Sequence, residues 1–77
     1  MELNKFVKDF SDQIEDCDLN QINGQTFFRD IEGWSSLTAL SIIAMVDEKY
    51  NVKLRGEDIR NSKSIEDLFN IVSSRVK

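Results

Sequence analysis

Apolar residues recur at helical spacing in three parts of the chain. Leu3, Phe6, Val7, Phe10 and Ile14 stand at i, i+3, i+4, i+7 and i+11. That spacing puts all five on one side of a helix and leaves Lys5, Lys8, Asp9 and Asp12 on the wet side. It predicts a first helix from about Glu2 to Asp16. The second run, Leu37 to Tyr50, is apolar over more than one face. Leu37, Leu40 and Ala44 form one stripe, Ala39, Ile43, Val46 and Tyr50 an adjacent one, and Ile42 and Met45 widen it. A helix apolar over so wide an arc packs against several neighbours at once. The third stripe is Ile65, Leu68, Phe69, Val72 and Val76, a helix from Ile65 to about Val76. Ser64-x-x-Asp67 ahead of it has the form of a capping box, in which hydroxyl and carboxylate each accept from a backbone N–H at the other's position.

The intervening segments are polar. Glu15 to Gly24 carries Cys17, Leu19 and Ile22 as its main apolar points. Asp16-x-Asp18-x-Asn20 has the spacing of a calcium loop. Gln21 occupies the position that needs glycine, and Phe27 the position that needs a bidentate Glu, so a solvated acidic loop is the better reading. Gln25 to Glu32 is predicted to end a long loop across the bundle, pinned by Phe27 or Phe28 and by Ile31; a loop of this length is more often functional or flexible than idle. Asn51 to Leu54 is a short extended connection. Gly56 to Asn61 is about one helical turn with Ile59 inward, and Asn61 to Ser64 is a loop. With no proline and three glycines, strands and tight turns are poorly provided for. The pattern predicts an all-α, small four-helix bundle, with three longer helices, one short helix and a long first loop, forming one domain over residues 1–77.

Composition narrows the function. A chain of 77 residues buries only about 60% of its unfolded surface and cannot also enclose a deep active site. The formal charge is −4, from 14 acidic and 10 basic residues. That balance disfavours nucleic-acid binding, a helix-turn-helix reader included, and suits partners with basic patches. There is no histidine, no glycine-rich phosphate loop and no Cys-x-x-Cys, so catalysis of its own is not expected. Cys17 is the one cysteine; it permits no internal disulfide, fits a reducing compartment, and has no cation nearby to activate it. Glu2, Lys5, Lys8 and Asp9 break any signal-peptide pattern. The longest nearly uncharged stretch, Gly33 to Val46, is too short to span a bilayer. A cytoplasmic location and no membrane contact are expected.

The candidate chemistry lies at Gly33-Trp34-Ser35-Ser36-Leu37. Gly33 breaks the chain before the second helix, and Ser35 is a good N-cap because its hydroxyl can accept from a free N–H one turn in. Ser36 is then the first helical residue or the cap itself. The unpaired N–H groups and positive dipole end there favour an anion by roughly 0.3–1 kcal/mol, so a phosphate ester on Ser36 is well placed. Trp34 has two possible roles: closing the lip of the bundle, or standing exposed beside the serine to contact partners.

These residues, followed by Asp47-Glu48-Lys49-Tyr50-Asn51-Val52, resemble the acyl carrier protein family. The family's usual motif is Asp-Ser-Leu, then a helix closing on acidic residues, an aromatic and a short extended Val-x-Leu or Ile. The likeness covers nearly the whole chain in helix order and length. Ser36 takes the place of the modified serine and Leu37 that of the motif leucine. Ser35 stands where the family usually has aspartate, which removes a charge and keeps a capping oxygen. The resemblance implies a bundle of acyl-carrier type. It also implies that a phosphopantetheinyl transferase moves phosphopantetheine from coenzyme A onto Ser36, with Trp34, Ser35 and Leu37 flanking it. The thiol of that arm would hold an acyl or aminoacyl group as a thioester, for enzymes such as a ligase, ketosynthase or acyltransferase in fatty-acid, polyketide or specialised acyl transfer. Separately from the likeness, a small bundle with no evident sticky strand suggests a monomer.

Two further expectations follow from the likeness. An acyl chain would shelter between helices, with Phe6, Leu40, Ala44, Met45, Ile59, Leu68 and Val72 as available walls. Partners would dock on acidic residues, here Asp47 and Glu48 near the end of the second helix with Glu57 and Asp58 on the third. That patch is thin, since Thr38 and Ser41 stand in the first half and Lys49, Lys53 and Arg55 lie nearby, and it points to a dedicated pathway rather than bulk fatty-acid synthesis. The competing reading is an unmodified helical interaction module in which Ser36 is only an N-cap.

Overall fold

Phenylalanines from separate parts of the chain meet at the centre of the molecule. In a computed structural model, which describes residues 2–14, 19–31 and 33–76, the Phe6 ring packs on Phe10, Tyr50 and Phe69 with centroids 5.6–6.3 Å apart. Phe10 in turn packs on Phe28 at 5.8 Å. Around this cluster stand α1 (Leu3–Ser11), α2 (Ser36–Tyr50), α3 (Gly56–Arg60) and α4 (Ile65–Arg75), with 3-10 turns at Leu19–Gln21 and Phe28–Asp30. Among the described residues there is no strand, only an isolated bridge between Phe27 and Ser64. The fold is a small all-α bundle of three longer helices and one short one, as the periodicity predicts. No helix among the described residues is long and apolar enough to cross a membrane.

The first helix is shorter than its apolar stripe. Regular α-helix stops at Ser11, where the Ser11 hydroxyl donates to the Lys8 carbonyl at 2.8 Å and competes with the backbone for that acceptor. Gln13 and Ile14 then donate to Phe10 and Ser11, three residues back. These tighter turns still deliver Ile14 to the core. Positions 15 and 16, the expected end of the helix, lie outside the described residues, as do Cys17 and Asp18 of the acidic loop.

Asp9 is a second departure. Placed on the wet side by its spacing, it is only 6% exposed. Its carboxylate accepts from the Tyr50 hydroxyl at 2.5 Å and from the Lys49 ammonium at 3.2 Å, joining α1 to the last turn of α2. Burial works against the charged carboxylate, but the bonds from Tyr50 and Lys49 outweigh it and hold the Asp9 pKa below its ordinary value. Burial, and then the hydrogen bond to Asp9 and its negative charge, push the Tyr50 phenol far above its own. Asn51, at φ 59°, closes α2 in the left-handed conformation, which asparagine tolerates better than most residues.

Only one arc of α2 faces the core. Thr38, Ile42, Met45 and Val46 are buried, and Ala39, Ile43 and Tyr50 are half-buried. Leu37, Leu40 and Ala44 face outward, against the expectation that their stripe would be packed; Leu37 is 76% and Leu40 61% exposed. The reason is length. α2 has 15 residues and α3 five, so at 1.5 Å per residue α3 spans about 7.5 Å and cannot cover a helix of about 22 Å.

Side-chain caps hold the remaining elements. Asp58 accepts from the Arg55 N–H at 2.9 Å and receives the Arg75 guanidinium on both oxygens, at 2.8 and 3.1 Å, which ties α3 to α4. Ser64 and Asp67 form the expected capping box: Ser64 Oγ accepts from Asp67 N at 3.1 Å and the Asp67 carboxylate from Ser64 N at 3.2 Å. The long loop lies across the start of α4. Its Thr26 and Gly24 carbonyls accept from the N–H groups of Ile65 and Glu66 at 3.1 and 2.7 Å. Phe28 pins this loop, fully buried, while Phe27 is 56% exposed.

Candidate functional site: Ser36 and the cleft beside it

The entry to α2 is set by its backbone. Gly33 has φ 91°, a conformation that a side chain would strain. The chain then turns through Trp34, whose N–H donates to the Ile31 carbonyl at 3.1 Å. Ser35 is extended and caps the helix: its Oγ accepts from Thr38 N at 3.3 Å. The Thr38 hydroxyl lies 3.2 Å from Ser35 Oγ and donates to the Gly33 carbonyl at 3.4 Å. Ser35 is therefore the N-cap and Ser36 the first helical residue.

That register leaves Ser36 free. Its side chain is exposed, and no described residue bonds its hydroxyl. Ala39 N–H is the first to bond a backbone carbonyl, that of Ser35, and Thr38 N–H is taken by the cap. The N–H groups of Ser36 and Leu37 are thus unpaired among the described residues, the usual state of a helix start. The first turn presents a nucleophilic oxygen, two open donors and the positive end of a 15-residue dipole.

Trp34 fills the gap between this turn and the core. Its ring stacks on Phe10 at 6.0 Å with planes 5° apart and tilts against Phe28 at 4.9 Å. Half-buried, it closes the lip of the bundle and lines a cleft of about 590 Å³ between α2 and α3. Ser35 and Ser36 stand on the same cleft. Ala39, Leu40 and Ile43 form the α2 wall and Ile59 the α3 wall, with Gly56, Arg29 and Arg60 completing it. Arg29 is fixed: it donates to the Ile59 carbonyl at 2.6 Å and lies 5.3 Å over the Phe28 ring. Arg60 is exposed, and its guanidinium has no hydrogen bond or ion pair among the described residues.

The sequence-predicted residues divide. Trp34, Ser35, Ser36 and Leu37 lie together at the first turn, with Leu37 exposed. Asp47 and Glu48 are exposed but lie about 17 Å down the helix from Ser36, eleven and twelve residues at 1.5 Å each. Glu57 is exposed. Asp58 is a correction to the expected acidic face: it is 9% exposed and its carboxylate is engaged by Arg75 and the Arg55 N–H, which hold its pKa below the ordinary value. Of the expected acyl-chain walls, Leu40 and Ile59 line the cleft. Phe6, Met45, Leu68 and Val72 belong to the packed core, and Ala44 faces outward. Arg29 and Arg60 were not anticipated. Their only signal in the sequence is a positive charge in a chain that is acidic overall.

Comparison with known protein families, curated proteins and solved structures finds no match to this chain.

Proposed function

We propose that this chain is a carrier protein of acyl-carrier type, bearing a phosphopantetheine arm on Ser36 and an acyl or aminoacyl group on the arm's thiol. The observation that carries the reading is the state of Ser36: an exposed hydroxyl with no partner among the described residues, first in a long helix whose opening N–H groups are likewise unpaired among them. The residues fit such a group. A phosphodiester on Ser36 Oγ gains roughly 0.3–1 kcal/mol from the helix terminus, and it meets no neighbouring carboxylate at position 35. Substituting Ser36 disturbs no packing, so an arm can be added without altering the fold. The arm supplies the thiol; the chain supplies a rigid handle, a tolerant terminus and a surface for enzymes that load and use the cargo.

That surface is apolar and only weakly acidic. Leu37 and Leu40 flank the serine, while Asp47, Glu48 and Glu57 are the acidic residues left on the expected partner face. A surface of this kind suits a dedicated acyl-transfer pathway whose enzymes recognise leucines more than charge.

The test is intact mass after incubation with coenzyme A and a broad-specificity phosphopantetheinyl transferase. The expected result is a gain of one phosphopantetheine, lost in Ser36→Ala and kept in Ser35→Ala. No gain with several transferases overturns the carrier reading. An unmodified interaction module is then favoured, for which Leu37, Leu40 and Phe27, at 76%, 61% and 56% exposure, are the contact residues.

A further inference from the structure

We propose that the cleft between α2 and α3 is a cargo pocket selective for acyl groups that end in a carboxylate. The proposal rests on the carrier reading for the identity of the ligand, and names the class of cargo that reading leaves open.

Two kinds of lining make the argument. Ala39, Leu40 and Ile43 face Ile59 across an apolar slot, Arg29 and Arg60 stand on the same cleft, and no acidic side chain among the described residues lines it. A neutral acyl chain uses the apolar walls and offers the two guanidinium groups nothing. A chain tipped with a carboxylate uses both. Arg29 gives one of its donors to the Ile59 carbonyl and keeps the rest of its five-donor fork. The Arg60 guanidinium has no hydrogen bond or ion pair among the described residues. A guanidinium fork matches a carboxylate in two parallel hydrogen bonds.

The arm's own phosphate does not account for the cleft. It would sit on Ser36 Oγ, at the helix start, with the N–H groups of Ser36 and Leu37 to face. The cleft runs on along α2 to Ile43, about 10 Å beyond Ser36 at 1.5 Å per residue. Its volume of about 590 Å³ falls in the range of small-molecule sites. A phosphate leaves the apolar walls empty, whereas an apolar stem with an anionic tip fills them. Tethering also relaxes the affinity required, because a short flexible linker presents its end at roughly millimolar effective concentration.

The experiment uses the unmodified chain and soluble ligands, so it does not depend on loading. The pantetheine thioesters of glutarate and valerate have acyl chains of equal carbon number and differ at the terminal carboxylate. Trp34, the one tryptophan, lines the cleft and reports binding by its fluorescence. The glutaryl thioester is expected to bind about fivefold more tightly or better, as a charge-assisted contact at a partly open site allows. Arg60→Gln, at an exposed residue whose side chain has no partner among the described residues, should retain wild-type circular dichroism and abolish the preference, and Arg60→Lys should restore part of it. Equal affinity for the two thioesters, a preference that survives Arg60→Gln, or no saturation by either into the millimolar range overturns the proposal. So does competition by phosphopantetheine alone at the strength of the glutaryl ligand, since the arginines would then be reading the arm. Failure of the carrier reading appears separately, as the absence of a mass gain with coenzyme A and a transferase. Selectivity without arm transfer sustains the pocket and removes the carrier.

Discussion

Tyr50→Phe removes one oxygen and leaves the Asp9 carboxylate, 6% exposed, with Lys49 as its remaining side-chain partner. A hydrogen bond to a buried charged group contributes about 1.5–3 kcal/mol, and the group left behind carries its desolvation penalty. We therefore expect Tyr50→Phe to lower stability by about 2 kcal/mol. In a domain of this size that corresponds to a Tm about 8–16 °C lower. Urea unfolding followed by circular dichroism measures it, with an unchanged m-value showing that compactness is unaffected. The dependence on pH is a second check. Asp9 has a native pKa below its ordinary 3.8, so its contribution is complete above that value and is lost as pH falls through the native pKa. The difference between wild type and Tyr50→Phe should shrink in the same acid range. At the alkaline end the sign reverses. The native Tyr50 pKa lies above its ordinary 10.0, so that contribution is complete below pH 10 and declines above it. Tyr50 is the only tyrosine, and tyrosinate absorbance reads it alone. A loss under about 0.5 kcal/mol, the size of an ordinary surface substitution, or a phenol that ionises at its free value, refutes the clamp.

Three further substitutions test the backbone around the site. Ser64→Ala removes the hydroxyl that caps α4 and should destabilise by about 1 kcal/mol in urea unfolding. Gly33→Ala forces a side chain into φ 91° and should lose about 1–2 kcal/mol, with a weakened entry to α2 visible as faster amide exchange at Thr38. Gly56→Ala meets no atom within 4 Å and should stabilise by about 0.4–1 kcal/mol by reducing the freedom of the unfolded chain, read as a higher urea midpoint.

The three amphipathic helices were legible because their period is local. Phe6 and Phe10, or Leu68 and Val72, fall on one helix face whatever the rest of the chain does. The caps were legible for the same reason: Ser35 with Thr38 and Ser64 with Asp67 act within four residues. What periodicity could not reach depends on partners distant in sequence. Asp9 looked solvated until Tyr50 and Lys49, some 40 residues away, closed over it. Asp58 looked like a surface acid until Arg75 took both its oxygens. The outward stripe of α2 has the opposite origin. Leu37, Leu40 and Ala44 have a core residue's composition, and the shortness of α3 leaves them largely exposed, with Leu40 only edging the cleft. Around Ser36, the serine and its cap could be read from five consecutive residues. The cleft needed Arg29, Trp34, Ile59 and Arg60 brought together from separate parts of the chain.

The long loop supplies what α4 cannot make for itself. At the N-terminus of α4, Ile65 and Glu66 donate their amide protons to Thr26 and Gly24, residues from an entirely different stretch. Gly24 sits so close to α1 that an added Cβ would lie 2.8 Å from the Leu3 side chain. The same few loop residues thus lean on the first helix and begin the last. Helix nucleation is the unfavourable step of helix formation, and docking of this remote segment adds to the local capping box at the start of α4, so the loop and that first turn should order together. In hydrogen-exchange terms, the amides of Ile65 and Glu66 should open as one unit with the loop whose carbonyls they bond. They should lose protection together with Thr26, whose own amide donates to the Asn23 carbonyl, and not with the middle of α4.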